Sequence, residues 1–182
     1  MKQLKDLTRR ELYDLFPITL VPYKDNYKVQ FESERHALYG LFHEDALFIE
    51  HIGSTAIPTI LSKPIVDILL ILDKKIDKKD IIEKLTNQGY LLMNEKEKPF
   101  QLSFSKGYTI HGYSNHVFHL HVRYDGLDEV YFRDALLRNP NLAKTYEALK
   151  VELLKKHPKD RDQYTMDKTF FVSLITEIEK SR

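Results

Sequence analysis

The chain has no cysteine among its 182 residues, which excludes disulfide bonds, thiolate catalysis and cysteine-based zinc sites. It also has little net charge, because 28 lysine and arginine residues stand against 27 aspartate and glutamate residues. A balance so close to zero gives no overall basic field of the kind that favours nucleic acid, although local basic faces remain open. The composition therefore gives no strong indication of a nucleic-acid partner.

Long apolar segments are absent as well. The longest, residues 65–72, contains Asp67 and is far too short to span a bilayer. The opening sequence MKQLKDLTRR is polar and lacks the apolar region of a signal peptide. We expect a cytoplasmic protein with no membrane partner, folded as one domain over residues 1–182, because this length suits one well-buried core better than two. The sequence leaves the oligomeric state open.

The apolar periods and the residues that begin or end elements predict a protein of both helices and strands. Helices are predicted over residues 9–16, 26–42, 77–88, 128–138, 139–157 and 165–179. Strands are predicted over 46–52, 65–72, 90–93, 100–104, 108–113 and 116–124, with a loop over 94–99 and a turn at Gly107. The predicted fold class is α/β of the α+β type, in which a mixed sheet is flanked by helices and the C-terminal third is helical.

The segment between residues 49 and 72 carries the residues with the clearest chemistry. Gly53 and Ser54 stand where the first of its two strands stops, and Asp67 is a lone charge inside the second. A glycine at a strand end lets backbone N–H groups approach a ligand closely, because it has no Cβ. An aspartate among aliphatic residues is costly to bury unless a metal or a hydrogen-bond donor compensates it. The pairing suggests a site for phosphate and metal.

Five stretches of the sequence resemble the GrpB family, a poorly characterised branch of the nucleotidyltransferase (DNA polymerase β-like) superfamily. They cover most of the chain in the family's order: LVPYKDNYKVQFESE, EHIGSTAIP, SKPIVDI, HLHV and FRDALLRNPNLAKTYEALK. The resemblance implies a nucleotidyltransferase-like fold that binds a nucleotide or another phosphorylated small molecule with a divalent metal, Mg²⁺ or Mn²⁺. It places Gly53 and Ser54 at the phosphate-binding positions, and Asp67 at the first metal carboxylate, as the catalytic residue.

The sequence departs from this pattern at Leu69. The superfamily places a second carboxylate two residues after the first, on the same face of the strand, and without it a two-metal site loses a ligand. A later predicted strand offers His119 and His121 on one face. With Asp67 they would give a softer ion, Zn²⁺ or Mn²⁺, two imidazoles and a carboxylate.

Basic residues extend the predicted site. Lys63 precedes Pro64 in the connection between the two strands and could meet a phosphate, and Arg123 shares the face of the two histidines. By resemblance, Arg133 or Lys150 of the C-terminal helices could close over a bound phosphate. The simpler interpretation of those helical charges, Lys168 included, is a solvated face.

Three functions remain open on the sequence. The protein transfers a nucleoside monophosphate to an unidentified acceptor, or it is a non-catalytic ligand-binding regulatory module with a degenerate site, or it is a small metal-dependent hydrolase that uses the histidine pair. Each candidate residue also has a structural interpretation: a turn for Gly53 and Ser54, a loop cap for Asp67, and a hydrogen-bonded cluster for the histidines.

Overall fold

The computed structural model describes residues 4–182 and contains a five-stranded sheet. The strands run over Ala46–Ile52 (β1), Val66–Leu72 (β2), Leu91–Lys96 (β3), Gln101–Thr109 (β4) and Gly112–Arg123 (β5). Their order across the sheet is β1-β2-β5-β4-β3, with β2 and β5 parallel and the other neighbouring pairs antiparallel. This mixed sheet, flanked by helices, confirms the predicted fold class.

Sequence signals at helix ends hold in the structure. Thr8 and Glu11 form a capping box, and Asn139 caps a later helix by accepting from Leu142 N at 3.1 Å, with Pro140 at the first helical position. The helices are Arg9–Leu15 (α1), Asn26–Phe42 (α2), Lys78–Asn87 (α3), Asp128–Arg138 (α4), Pro140–Lys156 (α5), Arg161–Met166 (α6) and Thr169–Lys180 (α7). None of the helices described is both long enough and apolar enough to cross a membrane. The cytoplasmic location and the single domain stay predictions.

Strand alternation divides the sheet into a dry face and a polar face. On the dry face, β2 and β5 pack against α2 and α3 in the main core, whose buried members include Phe31, Leu38, Val66, Ile68, Leu70, Ile81, Leu85, Phe118, Leu120 and Val122. The polar face of the same two strands carries Asp67 and His119, which are neighbours in the parallel register. A slip of one residue would exchange the two faces, so burial of the aliphatic set fixes where the polar side chains point.

The C-terminal helices build a second core against the connection between β1 and β2. Pro58 and Pro64 keep this connection from forming a long helix, and its one regular piece is a 3-10 turn at Ser54–Ala56. The second core contains Ile57, Ile60, Phe132, Leu136, Ala143 and Tyr146, with Phe171 of α7 stacked on Tyr146. A cleft remains between these helices and the polar face of the sheet.

Two predictions about the middle of the chain need correction. The first half of the loop predicted over 94–99 is strand and the second half is a turn, because β3 continues to Lys96 as an exposed edge strand, where charged side chains are tolerated. Gly107 is not a turn: β4 runs through it with φ +89° and an irregular register. The turn lies at residues 110–111, so Tyr108 and Tyr113 face each other across a hairpin and do not share a separate strand.

The helix predicted over 165–179 exists as α7 but begins later, at Thr169, and a separate short helix, α6, precedes it. Asp160 begins α6 by accepting from Gln163 N at 3.0 Å. At the other end, the carboxylate of Asp167 meets Lys156 Nζ at 3.1 Å and His157 Nε2 at 2.9 Å. These contacts hold the end of α6 against the end of α5, and Lys168 lies at the junction that follows.

Candidate functional site

Gly53 and Asp67 meet at the end of β1. Gly53 follows the last residue of that strand with φ +70°, a backbone conformation that favours glycine. A Cβ added to it would lie 2.9 Å from both Cβ and Cγ of Asp67. The glycine is therefore required twice, for the backbone turn and for the space that the Asp67 carboxyl group occupies.

A chain of hydrogen bonds leads from Asp67 across the sheet. His119 Nδ1 lies 3.2 Å from Asp67 Oδ1, and His119 Nε2 lies 2.7 Å from the Tyr108 hydroxyl. Burial opposes the charge of Asp67, but the hydrogen bond and charge of His119, with the charges of His121 and Lys63, lower the pKa of Asp67 below its ordinary value. An ionised carboxylate only accepts, so His119 donates to Asp67 through Nδ1, and its Nε2 is left to pair with the Tyr108 hydroxyl.

Lys150 packs over the turn formed by Gly53 and Ser54. It lies on α5 and is only 2% exposed. Its Nζ donates to Ser54 Oγ at 3.0 Å and to the carbonyl oxygen of Leu61, which ties α5 to both ends of the connection between β1 and β2. Burial lowers the pKa of Lys150 to about 8.

Two further lysines point into the same space from other elements. Lys63 lies in the connection between β1 and β2, and burial lowers the pKa of its ammonium group. Lys168 lies between α6 and α7, with its Nζ 4.4 Å from the centre of the Tyr164 ring. Burial, and then the positive charges of Lys63 and Lys150, lower the pKa of Lys168 to about 7. The ion pairs that the structure describes use other lysines.

These side chains line a cleft of about 1380 Å³ that has two chemically different parts. Beside the lysines the floor is polar, and Ser105 Oγ is buried there without a hydrogen-bond partner in the part of the chain that is described. Farther out the wall is apolar, with Leu91, Met93 and Ile110 exposed to the opening. A cleft with a cationic end and an apolar end suits an organic anion.

The position of the second superfamily carboxylate is part of a dry cluster. Leu69 is fully buried and packs with Ile52 and Ile71. Glu50 lies opposite Leu69 on β1, but its carboxylate accepts from Arg133 at 2.7 Å. Asp67 is therefore the one carboxylate that this stretch of the sheet offers to the cleft.

The sequence of this chain was compared with protein-family models and with known proteins. The family model described as GrpB protein matches residues 17–178. The chain belongs to the GrpB family. It is 34% identical over 163 residues to the glutamate-rich protein GrpB of Alkalihalophilus pseudofirmus, an alignment that covers 87% of this chain and 93% of that one.

A solved structure of another GrpB protein has the same fold. The crystal structure of conserved protein GrpB from Enterococcus faecalis is 32% identical, with a TM-score of 0.73 over 88% of this chain and 96% of that one. A structure of the Cid1 poly(U) polymerase with Mg and 3'-dATP bound aligns at a TM-score of 0.46 and 15% identity, over 81% of this chain and 44% of that one. That second likeness is too weak to bear on ligand or activity.

Most of the residues predicted for the site of this GrpB-family chain come together. The cleft is lined by Gly53, Ser54, Lys63, Asp67, His119 and His121. Arg123 is not among its lining residues, because its guanidinium group pairs with Glu129 in the first turn of α4. Among the side chains described, no three from histidine, aspartate and glutamate are placed to hold a metal ion.

Several residues of the cleft were not predicted as part of the site. Tyr108 and Ser105 come from β4, Arg161 and Tyr164 from α6, and Lys168 from the junction after it. For Lys150 the resemblance allowed a phosphate contact and the simpler interpretation was a solvated face; it is buried. The available signal was its spacing of four residues from Tyr146, which puts both on one side of α5, where the Nζ lies 4.9 Å from the ring centre.

Proposed function

We propose that this GrpB-family protein binds a nucleotide or another phosphorylated small molecule in the cleft beside Gly53 and Ser54. The observation that carries the proposal is the group of three ammonium ions, on Lys63, Lys150 and Lys168, which have no ion-pair partner among the described side chains. Phosphate oxygens are bound by such charges together with hydroxyl and backbone N–H donors. The Ser54 hydroxyl and the tight turn after Gly53 supply the site for those donors.

The apolar part of the cleft supports an organic group on the ligand. Leu91, Met93 and Ile110 leave an uncovered apolar wall in the same cleft, farther out from the charged end. A nucleobase or a similar flat group would remove that surface from water, which favours it over inorganic phosphate alone. The sequence resemblance to nucleotidyltransferases at Gly53, Ser54 and Asp67 supports a nucleotide in particular.

The residues present do not fit the two-metal centre that this resemblance implies. Asp67 offers one carboxylate, whereas Leu69 is buried in an apolar cluster. Both ring nitrogens of His119 are engaged, so a metal bound with His121 would have to displace Tyr108 or Asp67. A single Mg²⁺ or Mn²⁺ on Asp67 would take most of its oxygen ligands from phosphate and water. The proposal is therefore ligand binding, and nucleotidyl transfer stays a prediction of the resemblance.

Calorimetric titration of the full chain tests the proposal. Pyrophosphate and the four common nucleoside triphosphates are added to wild type, to Lys150→Met and to Lys155→Met. Lys155 lies on the same helix but faces solvent, paired with Glu152. We expect a nucleoside triphosphate to bind, with affinity reduced about ten-fold or more in Lys150→Met because one charge-assisted contact is lost, and unchanged in Lys155→Met. Absence of binding by every probe, or equal affinity in both variants and wild type, would contradict the proposal.

A further inference from the structure

The charges that line the cleft do not balance. Arg9 and Asp162 form an ion pair at 3.5 Å and offset each other. Asp67 then remains as the one carboxylate against Arg161 and the three lysines already described. Arg161 donates to the carbonyl oxygen of Phe16 at 3.2 Å, which is a neutral partner. The interior of the cleft therefore carries an excess of positive charge.

The three lysines reach the cleft from three separate parts of the fold. Lys63 comes from the connection between β1 and β2, Lys150 from the third turn of α5, and Lys168 from the junction of α6 and α7. Lys150 is buried and the other two are partly buried, which is costly for a charge that has no counterion. An arrangement of this kind is stabilised when an anion enters between the three groups.

In a two-metal site, divalent ions offset the charge of phosphate oxygens and hold them in place. Here the carboxylates that would gather two ions are missing, because Leu69 belongs to a dry cluster and Glu50 is paired with Arg133. Positive charge is nevertheless present at the same end of the cleft, on side chains. Among the residues described, the cleft therefore lacks the carboxylates that would bind two metal ions, but its lysines supply positive charge in the place of those ions.

We infer that the cleft binds its phosphorylated ligand as the metal-free anion, with the ammonium groups of Lys63, Lys150 and Lys168 in the charge-neutralising place of divalent ions. The inference rests on the proposed function, since it concerns the form in which the same ligand binds. In this arrangement Asp67 is not a metal ligand. It orients His119, and through His119 the Tyr108 hydroxyl, and its own charge repels the phosphate.

The direction in which one substitution changes ligand affinity distinguishes metal-free binding from binding through a metal ion. Asp67→Asn keeps an oxygen that accepts from His119 Nδ1 but removes the negative charge. If the carboxylate repels the ligand, metal-free affinity rises in the variant, by about three-fold or more for charges a few ångströms apart in a wet cleft. If the carboxylate holds a metal on which the ligand depends, affinity falls. Asp80→Asn, on an exposed turn of α3 that lies on the other side of the sheet, is the matched control.

The experiment titrates pyrophosphate and ATP into wild type, Asp67→Asn and Asp80→Asn, once with EDTA and once with excess Mg²⁺. We expect wild type to bind at least as tightly in EDTA as in Mg²⁺, Asp67→Asn to bind more tightly in EDTA, and Asp80→Asn to match wild type. Binding that needs Mg²⁺ and disappears in Asp67→Asn would overturn this inference and leave the proposed function standing. No binding in either condition would overturn both. The wild-type comparison between EDTA and Mg²⁺ decides the question alone if Asp67→Asn does not fold.

Discussion

Lysines lie over both faces of the sheet, and they differ in the partners they have there. On the dry face, Lys106 Nζ donates to Glu34 Oε1 at 2.7 Å, and the same oxygen accepts from the Tyr90 hydroxyl at 3.0 Å. On the polar face, Lys63 and Lys168 take part in none of the ion pairs described, and Lys150 donates only to neutral oxygens. The first arrangement completes a core, whereas the second leaves room for an anion.

The physical reason for the difference is the cost of removing a charge from water. A buried cation with a carboxylate partner recovers much of that cost through a charge-assisted hydrogen bond. A cation without such a partner keeps the cost in the folded protein, and its pKa falls, as that of Lys150 falls to about 8. Lysines without a carboxylate partner therefore do not stabilise the fold, and they suit the binding of an anionic ligand better.

The largest expected effect comes from breaking the paired side. Glu34→Ala leaves the Tyr90 hydroxyl buried without an acceptor and removes the partner of Lys106, so we expect it to lower the free energy of unfolding by about 2–3 kcal/mol. Urea unfolding measures the change. The matched variant Tyr90→Phe keeps the Glu34–Lys106 pair and should cost about half as much or less. Ligand affinity should be unchanged in both, and a stable Glu34→Ala protein would show that the pair is not structural.

A somewhat smaller loss of stability is expected from substitutions at Gly53, which lies at the end of β1 beside the cleft. Gly53→Ala and Gly89→Ala both place a Cβ on a residue with positive φ, which costs about 1–2 kcal/mol each. A Cβ at Gly89 meets no atom within 4 Å, but one at Gly53 collides with the Asp67 side chain. Only Gly53→Ala should therefore reduce ligand affinity, measured by titration of ATP. Equal affinities in the two variants would show that the contact between Gly53 and Asp67 does not shape the site.

Local pattern was sufficient for the floor of the site. Alternation along β2 and β5 correctly predicts that Asp67, His119 and His121 share a face, because a buried aliphatic set on the other face leaves no alternative register. Leu69 lies on the same face, and it stands out in the sequence only because the resemblance places a second carboxylate there. Its burial with Ile52 gives the physical meaning of that departure, since a carboxylate there would lie in an apolar cluster.

Local sequence pattern did not predict the residues that reach the cleft from the C-terminal helices, or the edge strand β3. The burial of Lys150 depends on Ser54 and Leu61, about ninety residues earlier in the chain, and no helical period encodes such a contact. Lys168 is positioned by the break between α6 and α7, which depends on side chains gathered by Asp167. The charged residues of β3 have the composition of a loop, and they form a strand because β4 offers them a free edge.

Proton exchange during ligand binding tests most directly whether lysines neutralise the ligand. In the free protein burial lowers the pKa of Lys168 to about 7 and that of Lys150 to about 8, so both are partly deprotonated near pH 8. A bound phosphate favours the charged forms and raises both pKa values, so binding takes up protons and affinity falls as the pH rises from about 6 to about 9. Calorimetric titration of ATP near pH 8, in EDTA and in two buffers of different ionisation enthalpy, counts the protons. The account predicts net proton uptake, whereas net release, or an affinity independent of pH, would contradict it.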